Sequence, residues 1–416
     1  MTIKEIQTVC FVGAGTMGCA NALIAAVSGY DVVIYDISAE SLNQVAGRQR
    51  EMAAYLVSTG YCGPDAIDVA RQRTALVPDL GEATAQADLV SESVLERLDL
   101  KREVHRQLDE LCPPKTILTT NTSALLVSDI EDVVRRGDRF AALHSHLGTL
   151  LIDIVGGPRT SPETIDILKR YVLSLKGIPM VLKKEHRGYL LNAMLGPVLT
   201  TGMALVIGGA ATMEDVDRAW MIHRKAPMGP FGMMDLFGLN LILDSWQHQK
   251  PKPGLAELRG MAIAFLAPYV ERGELGMKSG RGFYAYPDPA YQQDGFLEAA
   301  LDVSIPHYAL TLALIQNAVL LAASDVAEPH EVDRAWMGGT MLDAGPFGIL
   351  DQMGIDMFVS LSGSQPGSLT ADDAARVAAY LQPCLDRGEL GEKCGKGFYT
   401  YPQPRYRQPG FILDTD

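Results

Sequence analysis

The first forty residues alternate between apolar runs and a helical stretch. Residues 9–12 are continuously apolar and lead into a glycine, which is typical of a strand buried on both faces. A helical pattern runs from about residue 19 to residue 28 and stops at Gly29. A second apolar run over residues 31–35 ends at Asp36. This order predicts a strand–helix–strand unit, the opening of a doubly wound α/β sheet.

Polar residues cluster where later apolar runs end. After a helical pattern over residues 38–73, interrupted near residues 60–64, the chain shows further strand-like segments at residues 87–90, 116–120 and 140–143. Ser123 follows one of these segments closely, and His144 follows another directly. Ligands of open α/β sheets bind at the carboxyl ends of the strands, so both residues are candidates for chemistry.

The turn between the first strand and the first helix reads GAGTMG over residues 13–18. Gly13 permits the tight turn, Gly15 lets the backbone approach a pyrophosphate, and Gly18 lets the helix pack against the strand. The N-terminus of the helix then offers free N–H groups to the phosphates. Asp36 lies 18 residues after Gly18, where a carboxylate accepts hydrogen bonds from ribose hydroxyls.

No arginine stands beside Asp36 to hold a 2′-phosphate, so NAD is predicted in preference to NADP. The alternative is a glycine turn that only packs the strand–helix–strand unit. The residues of this unit predicted to bind the dinucleotide are Gly13, Ala14, Gly15, Thr16, Met17, Gly18 and Asp36.

The second half of the chain contains an internal repeat. MEDVDRAW at 213–220 returns as PHEVDRAW at 329–336, and GELGMKSGRGFYAY at 273–286 returns as GELGEKCGKGFYTY at 388–401. The near-constant offset of about 116 residues shows a duplication. Trp220 and its counterpart in the second copy are expected in the core, and the repeated GPF segments are expected to be packing turns.

Composition narrows the classes of function. The formal net charge of −14 argues against a surface for nucleic acid or anionic membrane, because both attract basic patches. The six cysteines form no CxxC pair, so we expect neither disulfides nor a metal site, and a reducing, cytoplasmic location. The most apolar stretch, residues 308–323, contains polar residues and predicts a buried helix rather than a membrane span.

Together these motifs resemble L-3-hydroxyacyl-CoA dehydrogenases and their 3-hydroxybutyryl-CoA relatives. The matching pieces, in chain order, are GAGTMG at 13–18, SESVLERLDLK at 91–101, NTS at 121–123, RFAALH at 139–144, GYLLN at 188–192, EDVDRAW at 214–220, PMGPFGMMDLFGL at 227–239 and KSGRGFYAY at 278–286. The resemblance implies a Rossmann domain followed by an all-α domain of the 6-phosphogluconate dehydrogenase C-terminal type, here in tandem. The predicted domains are 1–185, 186–298 and 299–416.

The resemblance also implies roles for individual residues. Glu96, Lys101 and Asn121 would help to hold NAD. The catalytic histidine falls on His144, and the remaining site residues would be Ser123, Asn192 and Asp153. The second copy carries Tyr308 where the first has Asn192, so we expect it to be structural.

The chain departs from the family pattern beside His144. The family usually reads HFFNP there and places a glutamate in the next strand, whereas this chain reads HSHLG and carries Asp153. Aspartate is one methylene shorter, so it can orient the imidazole only if the backbone comes closer. His146 is an alternative base.

The leading hypothesis is NAD-dependent interconversion of a 3-hydroxyacyl-CoA and its 3-oxoacyl-CoA. The altered loop leaves open a second, in which NAD and the histidine are kept but the substrate is a hydroxy acid without CoA, a sugar-acid or carnitine-like alcohol, or an imine. A non-catalytic NAD-binding protein is the third. In short family members the helical domain packs against its twin in a homodimer, so the fused copy implies a monomer or weak dimer.

Overall fold

The computed structural model describes residues 2–146, 148–248, 256–298, 303–363 and 369–414. The chain divides into two compact units. The sheet unit is formed by Met1–Leu190 with Asp325–Glu331 and Ile412–Asp416, and the helical unit by Leu191–Ser324 with Val332–Phe411. Both copies of the repeat therefore contribute to one helical unit.

The sheet unit is built on a single twisted sheet whose strands include all those predicted. They are β1 (Thr8–Val12), β2 (Asp31–Tyr35), β3 (Thr74–Val77), β4 (Leu89–Glu92), β5 (Ile117–Thr120), β6 (Phe140–Ser145), β7 (Leu151–Gly156) and β8 (Ile178–Leu182). Their order is β3-β2-β1-β4-β5-β6-β7-β8. Neighbouring strands run parallel except β6 and β7, which form an antiparallel pair. This is the predicted Rossmann arrangement.

Helices connect and cover these strands. They are α1 (Thr16–Val27), α2 (Ala39–Asn43), α3 (Val45–Ser58), α4 (Pro64–Gln72), α5 (Leu80–Thr84), α6 (Leu98–Leu111) and α7 (Pro162–Ser174). The helical pattern over residues 38–73 is confirmed with its interruption, because α3 ends at Ser58 and α4 begins at Pro64. Side chains of α1, such as Leu23, join Phe11 and Ile34 of the strands in one buried core.

The helical unit repeats its own elements. The first copy comprises α8 (Leu191–Ile207), α9 (Met213–Arg224), α10 (Pro230–Phe237), α11 (Leu239–His248) and α12 (Ala256–Glu271). The second comprises α13 (Ser304–Ala323), α14 (Pro329–Thr340), α15 (Pro346–Met353), α16 (Ile355–Ser362) and α17 (Ala371–Asp386). The helix starts of α9 and α14 lie 116 residues apart, as do those of α10 and α15, so the duplication extends to the structure.

Helix α13 is the buried helix predicted from the apolar stretch. Among the described residues it alone is long and apolar enough to cross a membrane, but 72% of its apolar window is buried inside the protein. It packs against α8, its counterpart in the first copy, within the helical unit. Its composition therefore reflects a core position.

The two copies meet with approximate two-fold symmetry. Trp220 packs edge-to-face on Trp336, its own repeat equivalent, with ring centroids 6.1 Å apart. His223 stacks on His307 at 3.6 Å. At the positions equivalent to His223 and His307 in the other copy stand Gly339 and Leu191. These two also lie close together, because a Cβ added to Gly339 would be 2.4 Å from the Leu191 side chain. The predicted core role of the two tryptophans is confirmed.

Each GPF segment begins a helix capped by a buried aspartate. Asp217 accepts hydrogen bonds from the backbone N–H groups of Phe231 and Gly232, at 2.8 and 3.0 Å, and from the Tyr284 hydroxyl at 3.0 Å. Asp333 makes the equivalent three bonds in the second copy. A buried carboxylate that satisfies helix N-terminal donors is a structural device, as predicted for these segments.

Candidate active site

The glycine turn is shaped by close contacts on one side and open space on the other. Gly13 has φ +110°, and a Cβ there would lie 2.8 Å from the carbonyl oxygen of Ser93. A Cβ on Gly18 would lie 1.9 Å from the Gly13 oxygen. By contrast, a Cβ on Gly15 would meet no heavy atom within 4 Å. The turn therefore leaves room for phosphate in front of the α1 N-terminus.

Asp36 follows β2 and lies against the glycine turn. Its carboxylate oxygens accept hydrogen bonds from the backbone N–H groups of Ala14 and Ser38, each at 2.8 Å. Arg48 of α3 donates to the Ala14 carbonyl and, at 2.7 Å, to the Gln44 side chain. The carboxylate thus lies beside the glycine turn, and its contact with ribose stays a prediction.

A buried carboxylate ends β4. Glu92 accepts hydrogen bonds from Lys101 at 2.7 Å, from the Thr120 hydroxyl at 2.8 Å and from His105 at 3.1 Å. Burial alone would raise the pKa of Glu92, but Lys101 and His105 outweigh it and lower that pKa to about 2. The Glu92 carboxylate is therefore a buried anion at the carboxyl-terminal edge of the sheet.

Glu96 organises the loop that carries Ser123. Its carboxylate accepts the backbone N–H groups of Ser123 and Ala124 at 3.0 Å each and the Thr122 hydroxyl, and it lies 3.4 Å from Lys101. The Lys101 side chain is only 1% exposed. Both residues position this loop, and their contact with NAD stays a prediction.

Asn121 joins the ends of β5 and β6. Its side-chain oxygen accepts the backbone N–H of Ser145 at 2.9 Å. The Ser145 hydroxyl in turn contacts the side-chain amide of Asn21 on α1 at 2.6 and 2.9 Å. The strand end that bears His144 is thereby fixed to the helix that follows the glycine turn.

The antiparallel pairing of β6 and β7 places His144 directly opposite Asp153. The His144 Nδ1 atom lies 3.0 Å from the Asp153 Oδ2 atom, and the His146 Nε2 atom lies 2.8 Å from the same oxygen. All three side chains are less than 10% exposed. The cross-strand register brings the shorter aspartate within reach of the imidazole.

This geometry fixes the tautomers of both rings. A carboxylate can only accept, so His144 presents Nδ1–H and His146 presents Nε2–H to Asp153. The Nε2 atom of His144 then carries a lone pair that can take a proton. Burial lowers the pKa of His144, and His146 lowers it further, against the opposing effects of Asp153 and Glu96. Burial would raise the pKa of Asp153, but the two imidazoles lower it.

Sequence reasoning missed two features of this site. Tyr189, in the GYLLN segment, has φ +50° and packs its ring 5.1 Å from that of His144. Its buried hydroxyl has no hydrogen-bond partner among the described residues. The sharing of Asp153 by two histidines was also missed, although the spacing His-x-His before an acidic strand could have suggested it.

Asn192, the remaining predicted site residue, is the second residue of α8 and is half-buried. It belongs to the helical unit, and its equivalent Tyr308 lies in α13. Its role rests on the resemblance alone.

The sheet unit combines a Rossmann sheet, an open glycine turn and a carboxylate after β2. At the carboxyl-terminal edge of the sheet, a carboxylate holds an imidazole. These features define an NAD-dependent oxidoreductase. Comparison with known proteins identifies the family. A model of the 3-hydroxyacyl-CoA dehydrogenase NAD-binding domain matches residues 8–186. A model of the same enzyme's C-terminal domain matches residues 188–286 and again 309–401. The chain belongs to the 3-hydroxyacyl-CoA dehydrogenase family, whose cofactor is NAD and which acts on CH–OH groups.

Similar proteins agree with this assignment. The chain is 31% identical to a probable 3-hydroxybutyryl-CoA dehydrogenase of Bacillus subtilis, over 68% of this chain and 99% of that protein. It is 31% identical to the mitochondrial hydroxyacyl-coenzyme A dehydrogenase of Mus musculus, over 68% of this chain and 91% of that protein.

Two solved structures extend the comparison. One is a diketoreductase whose description names catalysis of dicarbonyl compounds. It is 34% identical to this chain, with a TM-score of 0.62, and the match covers 68% of this chain and 100% of the diketoreductase. The 3-hydroxybutyryl-CoA dehydrogenase of Escherichia coli K12 is 22% identical with a TM-score of 0.70, over 90% of this chain and 99% of its own. The second likeness shows the fold alone.

Proposed function

We propose that this protein interconverts a 3-hydroxyacyl-CoA and its 3-oxoacyl-CoA with NAD, and that His144 is the acid/base. The observation that carries the proposal is the 3.0 Å contact of His144 Nδ1 with Asp153, which leaves Nε2 as a proton acceptor. The relatives named as hydroxyacyl- and hydroxybutyryl-CoA dehydrogenases support the substrate class.

The chain's own groups would divide the work as follows. In the oxidative direction, His144 Nε2 takes the hydroxyl proton of the substrate while the carbinol carbon loses hydride. Bound NAD supplies the hydride acceptor. Asp153 stabilises the imidazolium that forms and keeps its ring oriented. Ser123, and by resemblance Asn192, would hydrogen-bond the substrate oxygen as alkoxide character develops.

The residues of the glycine turn fit this cofactor. The space in front of Gly15 would receive the pyrophosphate against the N-terminus of α1, and Asp36 would meet the adenosine ribose. On binding, Asp36 would lose its hydrogen bond from the Ala14 N–H and accept hydrogen bonds from the ribose hydroxyls instead. Glu96 and Asn121 would keep the β4 and β5 ends in place beside the nicotinamide.

A second candidate function is reduction of a dicarbonyl or oxidation of a hydroxy acid that carries no CoA. The 34% identity to a diketoreductase that acts on dicarbonyl compounds favours it. So does the site itself, because Ser145 and His146 stand where the resemblance leads one to expect two phenylalanines.

The test compares acetoacetyl-CoA with a free β-diketone of similar size, following NADH consumption. Turnover of acetoacetyl-CoA at a kcat/KM at least tenfold above that of the diketone supports the first function. The reverse ranking supports the second. NADH binding without turnover of either would overturn both and leave a non-catalytic NAD-binding protein.

A further inference from the structure

The cluster of His144, His146 and Asp153 contains three potential metal ligands. Each of these side chains offers one ligand atom, a ring nitrogen or a carboxylate oxygen, and the three atoms lie within 4.8 Å of one another. We propose that these side chains form a binding site for one divalent transition-metal ion of Zn²⁺ chemistry. No metal site is expected from the sequence, because the cysteines lack the spacing of zinc ligands.

The donor set matches that ion. Two neutral imidazoles and one carboxylate are the protein ligands of many four-coordinate zinc sites, in which a water completes the shell. Zinc–nitrogen distances near 2.0 Å imply ligand separations of about 3.3 Å. Both ring nitrogens already lie near that distance from Asp153 Oδ2, at 3.0 Å for His144 and 2.8 Å for His146, and the carboxylate would turn aside to admit the metal.

An independent observation points to a missing partner. The Oδ1 atom of Asp153 is buried and has no hydrogen-bond partner among the described residues, although a buried carboxylate oxygen ordinarily has one. Glu96 adds a second negative charge close enough to act on His144. A cation bound by both oxygens of the Asp153 carboxylate would satisfy the orphaned Oδ1 atom and be favoured by both acids.

Metal binding would oppose the proposed function, and this consequence rests on it. To bind metal through Nδ1, neutral His144 must carry its proton on Nε2 instead. The Nε2 atom then has no lone pair with which to take the proton of the alcohol. The metal would therefore be an inhibitor that lowers kcat, with no effect expected on NADH affinity.

Titration of chelator-treated protein with Co²⁺, in the absence of substrate and nucleotide, tests the site. Wild-type protein should develop the visible absorption of four-coordinate Co²⁺, saturating at one equivalent and bleached by Zn²⁺. His146→Gln, whose amide can still hydrogen-bond Asp153 but ligates metal poorly, should lose at least tenfold in affinity. His330→Gln, outside the cluster, should bind Co²⁺ as the wild type does. Thermal unfolding of each variant checks that it is folded.

Equal Co²⁺ affinity in wild type and His146→Gln, or no such absorption in the wild type, would overturn the proposal. The Co²⁺ titration needs no turnover, and NADH turnover is measured separately in chelator. Failure of the metal site therefore leaves the dehydrogenase assay unaffected, and failure of the dehydrogenase assay leaves the titration unaffected.

Discussion

One oxygen atom of Asp153 organises both imidazoles of the candidate site. Because it accepts from two rings, it determines which nitrogen of each is free to react. The surroundings of Glu92 differ from those of Asp153. Glu92 is also buried, but it pairs with the Lys101 ammonium and accepts from His105 below the loop that carries Ser123. We propose that the Asp153 carboxylate serves the chemistry and that the Glu92 carboxylate stabilises the fold.

Replacement of His144 by alanine should lower turnover by about 10²-fold or more, because the proton then has no carrier. NADH affinity, measured by fluorescence titration, should change little, since no contact of the glycine turn is altered. His330→Ala serves as the matched control. Wild-type turnover by His144→Ala would remove this residue from the mechanism.

The buried ion pair of Glu92 gives a stability prediction. Lys101→Met should lower the free energy of unfolding by about 3–5 kcal/mol, because it leaves Glu92 charged and without its main partner. The control is Asp99→Asn, which removes the exposed ion pair with Arg97 and should lower the free energy of unfolding far less. Urea unfolding at neutral pH measures both, and equal losses would contradict the assigned importance of burial.

The sequence predicted residues at the sheet edge better than it predicted their partners. His144 could be named from its position after an apolar run, whereas Asp153 was named from the resemblance, in place of the family's glutamate. The sharing of Asp153 with His146 depends on the register of an antiparallel pair, and a one-residue shift would turn the aspartate to the opposite face. Lys101 and His105 lie four residues apart on α6, which does indicate one helix face, but nothing in the sequence indicated Glu92 as their common target.

Among the elements of the sheet unit, the glycine turn contains one glycine needed for folding, Gly18, and one needed for binding, Gly15. Gly18→Ala should lower the free energy of unfolding by about 1–3 kcal/mol, because its Cβ would overlap the Gly13 carbonyl. Gly15→Ala should fold normally, because its Cβ meets no heavy atom within 4 Å. It should nevertheless weaken NADH binding by about tenfold or more, since the methyl group fills the space for the pyrophosphate.

Thermal unfolding and NADH fluorescence titration together distinguish the two glycine variants. Unchanged NADH affinity in Gly15→Ala would contradict the proposed position of the pyrophosphate. Strands and helices around this turn were predictable because each is a continuous apolar run or a clear helical period. The antiparallel pairing of β7 was not, because periodicity carries no information about strand direction.

Where α9 meets α13, the stacked histidines predict an acid-sensitive contact. Burial, with His223 and Arg224, lowers the pKa of His307 from 6.5 to about 4. Between those values the unfolded chain binds more protons than the folded chain, so the free energy of unfolding should fall as pH drops from 6.5 to 4.

His307→Gln should reduce this dependence on pH. All three tryptophans, Trp220, Trp246 and Trp336, lie in the helical unit, so their fluorescence during urea unfolding follows it. An identical slope in wild type and variant between pH 4 and 6.5 would rule out the stacked pair as its source.

For the molecule as a whole, we expect the duplication to replace an association between chains. The pairs Trp220–Trp336 and His223–His307 are contacts between the two copies within one chain. The resemblance implies that shorter relatives make the corresponding contact between subunits. The duplication itself was fully readable from the sequence, whereas the division 1–185, 186–298 and 299–416 stays a prediction.

Sedimentation should therefore show a monomer or a weakly associating species over a wide range of protein concentrations. By the resemblance, the second copy would occupy the surface that pairs two short chains. A tight dimer that persists on dilution, and that is disrupted by substitutions on the α8–α9 surface, would contradict this expectation.

The internal two-fold axis also changes what a mutation can do. In a symmetric dimer encoded by one short gene, every substitution at the axis appears twice and must be tolerated on both sides. Here each half is encoded separately, so equivalent contacts on the two sides of the axis can differ. One side has the stacked pair of His223 and His307, and the other has Gly339 against Leu191. The two halves can therefore differ at equivalent positions, as Asn192 and Tyr308 also do.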